Sequence, residues 1–183
     1  MKTRLNKITL ISMIVLSLSV TAFAGDTSTG RYDDLPKGVY TSLVGSGFFD
    51  TYEIYFEMSP FFQRGDFNGD GAFDIAIQVV SKTSRKRGIV FLHHNDLNYH
   101  VIGAGKKFGD LGDDFSWLKK WRIDSFTLQH SRISATAEAL ILDNPDFPKS
   151  LVYFDGKSYQ TQGMDAYSFY SDGPVFSQVI PQL

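Results

Sequence analysis

Two β-branched runs, IAIQVV from Ile75 to Val80 and IVFL from Ile89 to Leu92, are separated only by SKTSRKRG, Ser81 to Gly88. Their simplest arrangement is an antiparallel hairpin with a basic tip. TYEIYFEM, Thr51 to Met58, alternates apolar and polar residues as a half-buried strand does, and Pro60 ends it. Further strands are expected at Tyr99–Ile102, Arg122–Leu128, Ile133–Leu142, Leu151–Phe154 and Ser158–Thr161. The last two flank Asp155-Gly156, a favoured hairpin turn because both residues tolerate positive φ. DFSWLKKW, Asp114 to Trp121, predicts a short helix with Asp114 as its N-cap. YDDLPKGVYTSLVGSGFFD places turn residues around a short apolar piece and reads equally as helix or strand. The expectation is a mainly β fold, a single antiparallel β domain with at most one or two short helices, with α+β as the alternative.

The first 24 residues carry Lys2, Arg4 and Lys7, an apolar stretch from Ile8 to Val20, and Ala22-Phe23-Ala24. That order is a secretory signal peptide cut after Ala24. The apolar stretch, broken by Ser12, Ser17 and Ser19, is shorter than the ~20 residues of a membrane span, so none is expected in the mature chain. No Cys follows the cut, which excludes a lipoprotein anchor. Residues 25–31 read as a flexible linker and 32–183 as one β-rich domain. The 159 mature residues hold 15 Lys and Arg against 20 Asp and Glu. A net charge of −5 argues against nucleic-acid binding, which relies on surplus positive charge. With no Cys in the whole chain, a disulfide cannot hold an exported fold of this kind. Hydrophobic residues at 43% are enough for a core, and a metal clip would add to it.

DFNGDGAFD, Asp66 to Asp74, crowds three carboxylates and an amide into nine residues. Calcium takes about 6–8 oxygen ligands from such groups. Alternate residues of a curved loop point inward together, which places Asp66, Asn68 and Asp70 around one point. Gly71 allows the turn, the Ala72 carbonyl faces the ion and Asp74 closes the site. A cation would relieve the repulsion among the three carboxylates. Without an ion, the same residues would cap backbone amides through Asx-turns. An EF-hand needs a Glu at the twelfth loop position and a flanking helix, whereas Ile77 and a β-branched run stand here.

The loop resembles the calcium loop of FG-GAP and VCBS-type repeats, Asp-x-Asn-x-Asp-Gly-x-x-Asp leading into a strand. One motif in 159 residues is too little for the β-propeller those repeats build, so the resemblance implies the loop and its Ca2+. More widely, GDFNGDGAFDIAI (65–77), KRGIVFL (86–92), VIGAGKKF (101–108), DDFSWLKKWRI (113–123) and SLVYFDGKSY (150–159) resemble a group of small exported bacterial proteins. That likeness implies export and calcium and carries no activity with it. An aromatic run usual after the last hairpin is replaced by Gln160-Thr161-Gln162.

Other clusters have plainer readings. His93 and His94, with Asp96 and His100 nearby, suggest a transition-metal or acid–base site, but adjacent residues of a strand point to opposite faces, which makes a shared metal awkward and ordinary strand-end or surface histidines the simpler account. Asp110, Asp113 and Asp114 offer a second cation site or a carboxylate pair for glycosidic chemistry, but two glycines and a following short helix favour a capping loop; Asp143-Asn144-Pro145-Asp146 reads as a turn. Lys82, Arg85, Lys86 and Arg87 form a basic tip that discourages edge pairing or meets an acidic partner. Trp117 and Trp121 are expected to pack on the sheet. No nucleophile elbow or phosphate loop is present.

The expected function is therefore a non-enzymatic binding or interaction module, periplasmic or secreted, ordered by calcium and meeting a protein or cell-surface polymer. The alternatives are a small hydrolase using acidic residues 110–114 with His93 or His94, and an inhibitor or immunity protein of an exported toxin presenting Ser81–Gly88.

Overall fold

The computed structural model describes residues 32–94, 96, 98–124 and 137–164. The expected signal peptide and linker lie outside the described residues, as do the parts of the expected strands at 125–128 and 133–136. Among the described residues the fold is mainly β, with two antiparallel sheets and two short helices, as the turn-punctuated apolar runs implied.

The first sheet is built around β3 (Asp74–Ser81) and β4 (Arg87–Leu92), the expected hairpin, with Ile77 opposite Val90. On the far side of β4 lies β5 (Tyr99–Gly103). Gly88 is required where these two meet, because a Cβ there would stand 2.3 Å from the Ile102 carbonyl oxygen. The other edge of β3 is shared by β1 (Tyr52–Ile54) and β2 (Phe62–Gly65). The chain changes over at Gln78, whose carbonyl accepts from Tyr55 N–H and whose own N–H donates to the Phe61 carbonyl, both at 2.8 Å. The expected strand over Thr51–Met58 is thus corrected to three residues, since the chain leaves the ladder at Tyr55 and returns at Phe62.

The second sheet runs in order β6 (Lys120–Asp124), β7 (Ala139–Asn144), β8 (Phe147–Phe154) and β9 (Tyr159–Met164). The Asn144–Phe147 pair closes the expected turn between β7 and β8. Asp155 accepts from the N–H groups of Lys157 and Ser158 at 2.8 Å, organising the turn into β9.

Every residue of β3 is buried, because both faces of the first sheet are covered. Ala76, Ile89, Phe91 and Ile102 meet the second sheet through Leu140, Leu142, Val152 and Tyr159. Ile75, Ile77, Val79 and Val90 pack instead beneath Leu43 and Phe48. Those two side chains come from α1 (Val39–Gly45) and α2 (Phe48–Thr51), which resolves the ambiguous N-terminal segment as helical.

The expected helix at Asp114–Trp121 is absent. A single turn joins Leu118 N–H to the Phe115 carbonyl, and Trp121 already belongs to β6. Longer-range bonds compete with the helix. Asp114 caps Arg87 N–H as well as Ser116 N–H, and Phe115 N–H donates to the Arg87 carbonyl. Both tryptophans pack into the inter-sheet core, Trp121 buried and Trp117 partly so.

Candidate functional site

The loop Asp66–Asp74 spans the gap between the sheets at the N-terminal end of β3. Its first residue is tied to the second sheet, where Asp66 N–H donates to Glu138 Oε2 at 2.8 Å and Glu138 N–H to the Asp66 carbonyl at 2.7 Å. Its last residue is tied to the first. Asp74, with no solvent exposure, accepts from His94 N–H through Oδ1 (2.8 Å) and from Phe67 and Asn68 N–H through Oδ2 (3.0 and 3.1 Å). Burial pushes the Asp74 carboxyl above its ordinary value, against these hydrogen bonds. Phe67 is driven into the inter-sheet core, edge-on to Phe91. Phe73 faces outward at 59% exposure under the Arg64 guanidinium, 4.2 Å from its ring centre.

Between these anchors the polar side chains fold over the loop's own backbone. Asp66 accepts through Oδ1 from Gly69 and Asp70 N–H (2.8 and 3.1 Å) and through Oδ2 from Gly71 N–H (2.9 Å). Asn68 Oδ1 accepts from Asp70 N–H, and Asp70 Oδ1 from Ala72 N–H at 2.7 Å. The Ala72 N–H, with the Asn68 amide, holds the Asp70 carboxyl below its ordinary value. Gly71 sits at φ 85°, which other residues rarely adopt. These are the Asx-turns expected of the loop without an ion. They do not use every lone pair. A carboxylate offers about four lone pairs, so Asp66 and Asp74 each keep one, Asp70 keeps two, and the Asn68 oxygen and the Ala72 carbonyl add more. A set made only of oxygens fits calcium.

A second cluster adjoins the loop. Among the described residues, His93, Asp96 and His100 are the group of His, Asp or Glu whose ligand atoms all lie within 4.8 Å of one another; the three loop carboxylates do not form such a group. His93 is buried just beyond β4, and its Nε2 lies 2.8 Å from the Tyr159 hydroxyl. Tyr159 stacks on Phe91 with ring centres 3.7 Å apart. Burial raises the Tyr159 hydroxyl far above its ordinary value, with the Asp74 charge adding to it. The His93 and His100 rings are 4.9 Å apart, and burial first, then His93, lowers the His100 pKa. The pair that meets is His93 with His100, brought together by the β4–β5 register, which adjacency in sequence does not reveal.

The remaining clusters make contacts within the molecule. Asp113 pairs with Lys86. Asp114 is partly desolvated, yet the N–H groups of Arg87 and Ser116, the Ser116 hydroxyl and the Lys86 charge hold its carboxyl below the ordinary value. Both bond at the Arg87 end of β4, whereas His93 follows the Leu92 end, about 20 Å away at 3.3 Å per residue. Asp113 and Asp114 thus lie at the opposite end of β4 from His93. Asp110 is exposed on a 3-10 turn, Gly109–Leu111, that packs beside β9. The basic tip is also engaged within the molecule. Lys82 donates to the Phe49 carbonyl, Arg85 pairs with Glu53, and the Arg87 guanidinium lies 4.1 Å from the centre of the Tyr55 ring.

No family model matches the chain, and no curated protein or solved structure does. What the site can do follows from its own residues.

Proposed function

We propose that the chain is an exported β module that acts by binding rather than catalysis, and that its Asp66–Asp74 loop is ordered by calcium. The observation that carries this reading is the loop's all-oxygen donor set, Asp66, Asn68, Asp70, Asp74 and the Ala72 carbonyl, held between anchors on both sheets. An ion there would cross-link the sheets, a role a disulfide fills in other exported proteins. The N-terminal sequence supports export to the periplasm or beyond. The separation of Asp113 and Asp114 from His93 favours binding over hydrolysis. A protein or cell-surface polymer is the partner class, and the internally engaged basic tip favours a surface other than Ser81–Gly88.

The test is thermal unfolding of protein stripped of metal, verified by elemental analysis, and then titrated with calcium. A saturable rise in Tm, absent with magnesium, is expected. At a hundredfold excess over Kd the ion would add about 2.7 kcal/mol. Asp70→Ala should forfeit most of that in calcium and lose little in chelator. No rise in verified metal-free protein would overturn the reading.

A further inference from the structure

Two imidazoles and a carboxylate converge at the β4–β5 turn, and the calcium loop makes no use of them. We propose that His93, Asp96 and His100 form a binding site for a divalent transition-metal ion of the zinc class, separate from the Asp66–Asp74 loop.

The backbone brings them together. Phe91 pairs with His100 across the hairpin, so His93, two residues further on, projects from the same face as the diagonal neighbour of His100. Asp96 N–H donates to the His93 carbonyl at 3.2 Å, and this turn carries the Asp96 carboxylate back to the two rings. One ligand atom from each residue then lies within 4.8 Å of the others.

The donor chemistry is distinct from that of the loop. Imidazole nitrogen with carboxylate oxygen suits zinc and its neighbours, whereas calcium selects oxygen alone. His93 commits Nε2 to the Tyr159 hydroxyl, which leaves Nδ1 for an ion. In metal sites the second ring nitrogen is commonly fixed by such a bond, which sets tautomer and ring orientation. Tyr159 is itself fixed by its stack on Phe91. Asp96 Oδ1 accepts from Asn98 N–H and from the Asn98 amide, at 2.8 and 3.0 Å, so the carboxylate is oriented too. Three protein ligands leave a coordination position for water or for a group on a bound partner.

The purified protein, stripped of metal and returned to millimolar calcium, would be titrated with Zn2+ by calorimetry. Its Co2+ form would be read by visible absorption. One zinc per chain is expected, with affinity reduced about tenfold or more by His100→Gln and by Asp96→Asn. His94→Gln, outside the trio, should leave it unchanged. Should His100→Gln fail to fold by circular dichroism, Asp96→Asn carries the same reading, because Asp96 lies at the turn rather than in a strand. Tyr159→Phe keeps the stacked ring and should weaken binding and alter the Co2+ spectrum through loss of the hydroxyl alone. Absence of saturable zinc binding would overturn the proposal. So would binding that survives both His100→Gln and Asp96→Asn, or binding that His94→Gln abolishes. Calcium in every arm keeps the loop in one state, so the outcome does not depend on whether the loop binds its ion.

Discussion

Within one nine-residue loop, two aspartates of the same type do different work. Asp70 is exposed and bonds only to groups in its own turn, so its carboxylate can turn to a ligand at little cost. Asp74 is sealed from solvent and serves three backbone N–H groups from two separate segments. Asp74→Asn would replace one oxygen with an NH2 that faces donors it cannot accept from. The expected loss is about 2–3 kcal/mol, read as a shift of the urea midpoint in chelator, where no ion contributes. Asp70→Ala should show almost no shift under that condition. The spacing of DFNGDGAFD made both residues legible as candidates. It could not distinguish anchor from free donor, because that depends on His94, twenty positions away in the chain. The His93–Asp96–His100 cluster was present as residues but not as geometry, since it rests on which β5 residue lies opposite Phe91.

At the scale of elements, the β3–β4 hairpin was plain because eight residues joined two β-branched runs. Segments whose partners lie far off in sequence do not show their pairing in local pattern. Period-two alternation in TYEIYFEM continued past Ile54, but β3 accepts the chain only as far as Tyr55. DFSWLKKW had helical spacing, yet Arg87 and β7 claim its two ends. Gln78, fully buried in the middle of β3, remains an exception to apolar patterning. Its Nε2 has no hydrogen-bond partner among the described residues. Removing a buried donor without a partner relieves its desolvation cost. Gln78→Met, close in volume, should therefore raise stability by about 1 kcal/mol, measured as a higher denaturant midpoint with unchanged slope.

For the whole molecule, the shared core predicts that the sheets fail together. Phe67 leaves the loop to pack against Phe91 of the first sheet, in a cluster with Leu140 and Val152 of the second. Phe67→Ala should cost about 3–5 kcal/mol. The transitions followed by tryptophan fluorescence, which reports Trp117 and Trp121, and by far-ultraviolet circular dichroism should move together by the same amount. Two separate midpoints would mean that the sheets unfold independently. The change of strand on the β3 edge has a consequence for how such a chain can vary. The excursion from Tyr55 to Phe61 leaves and rejoins the ladder at a single residue, Gln78. Residues added within it, near Glu57, would enlarge the surface without shifting the register of β1 or β2, making it a natural place for the protein to acquire new contacts while its scaffold stays fixed.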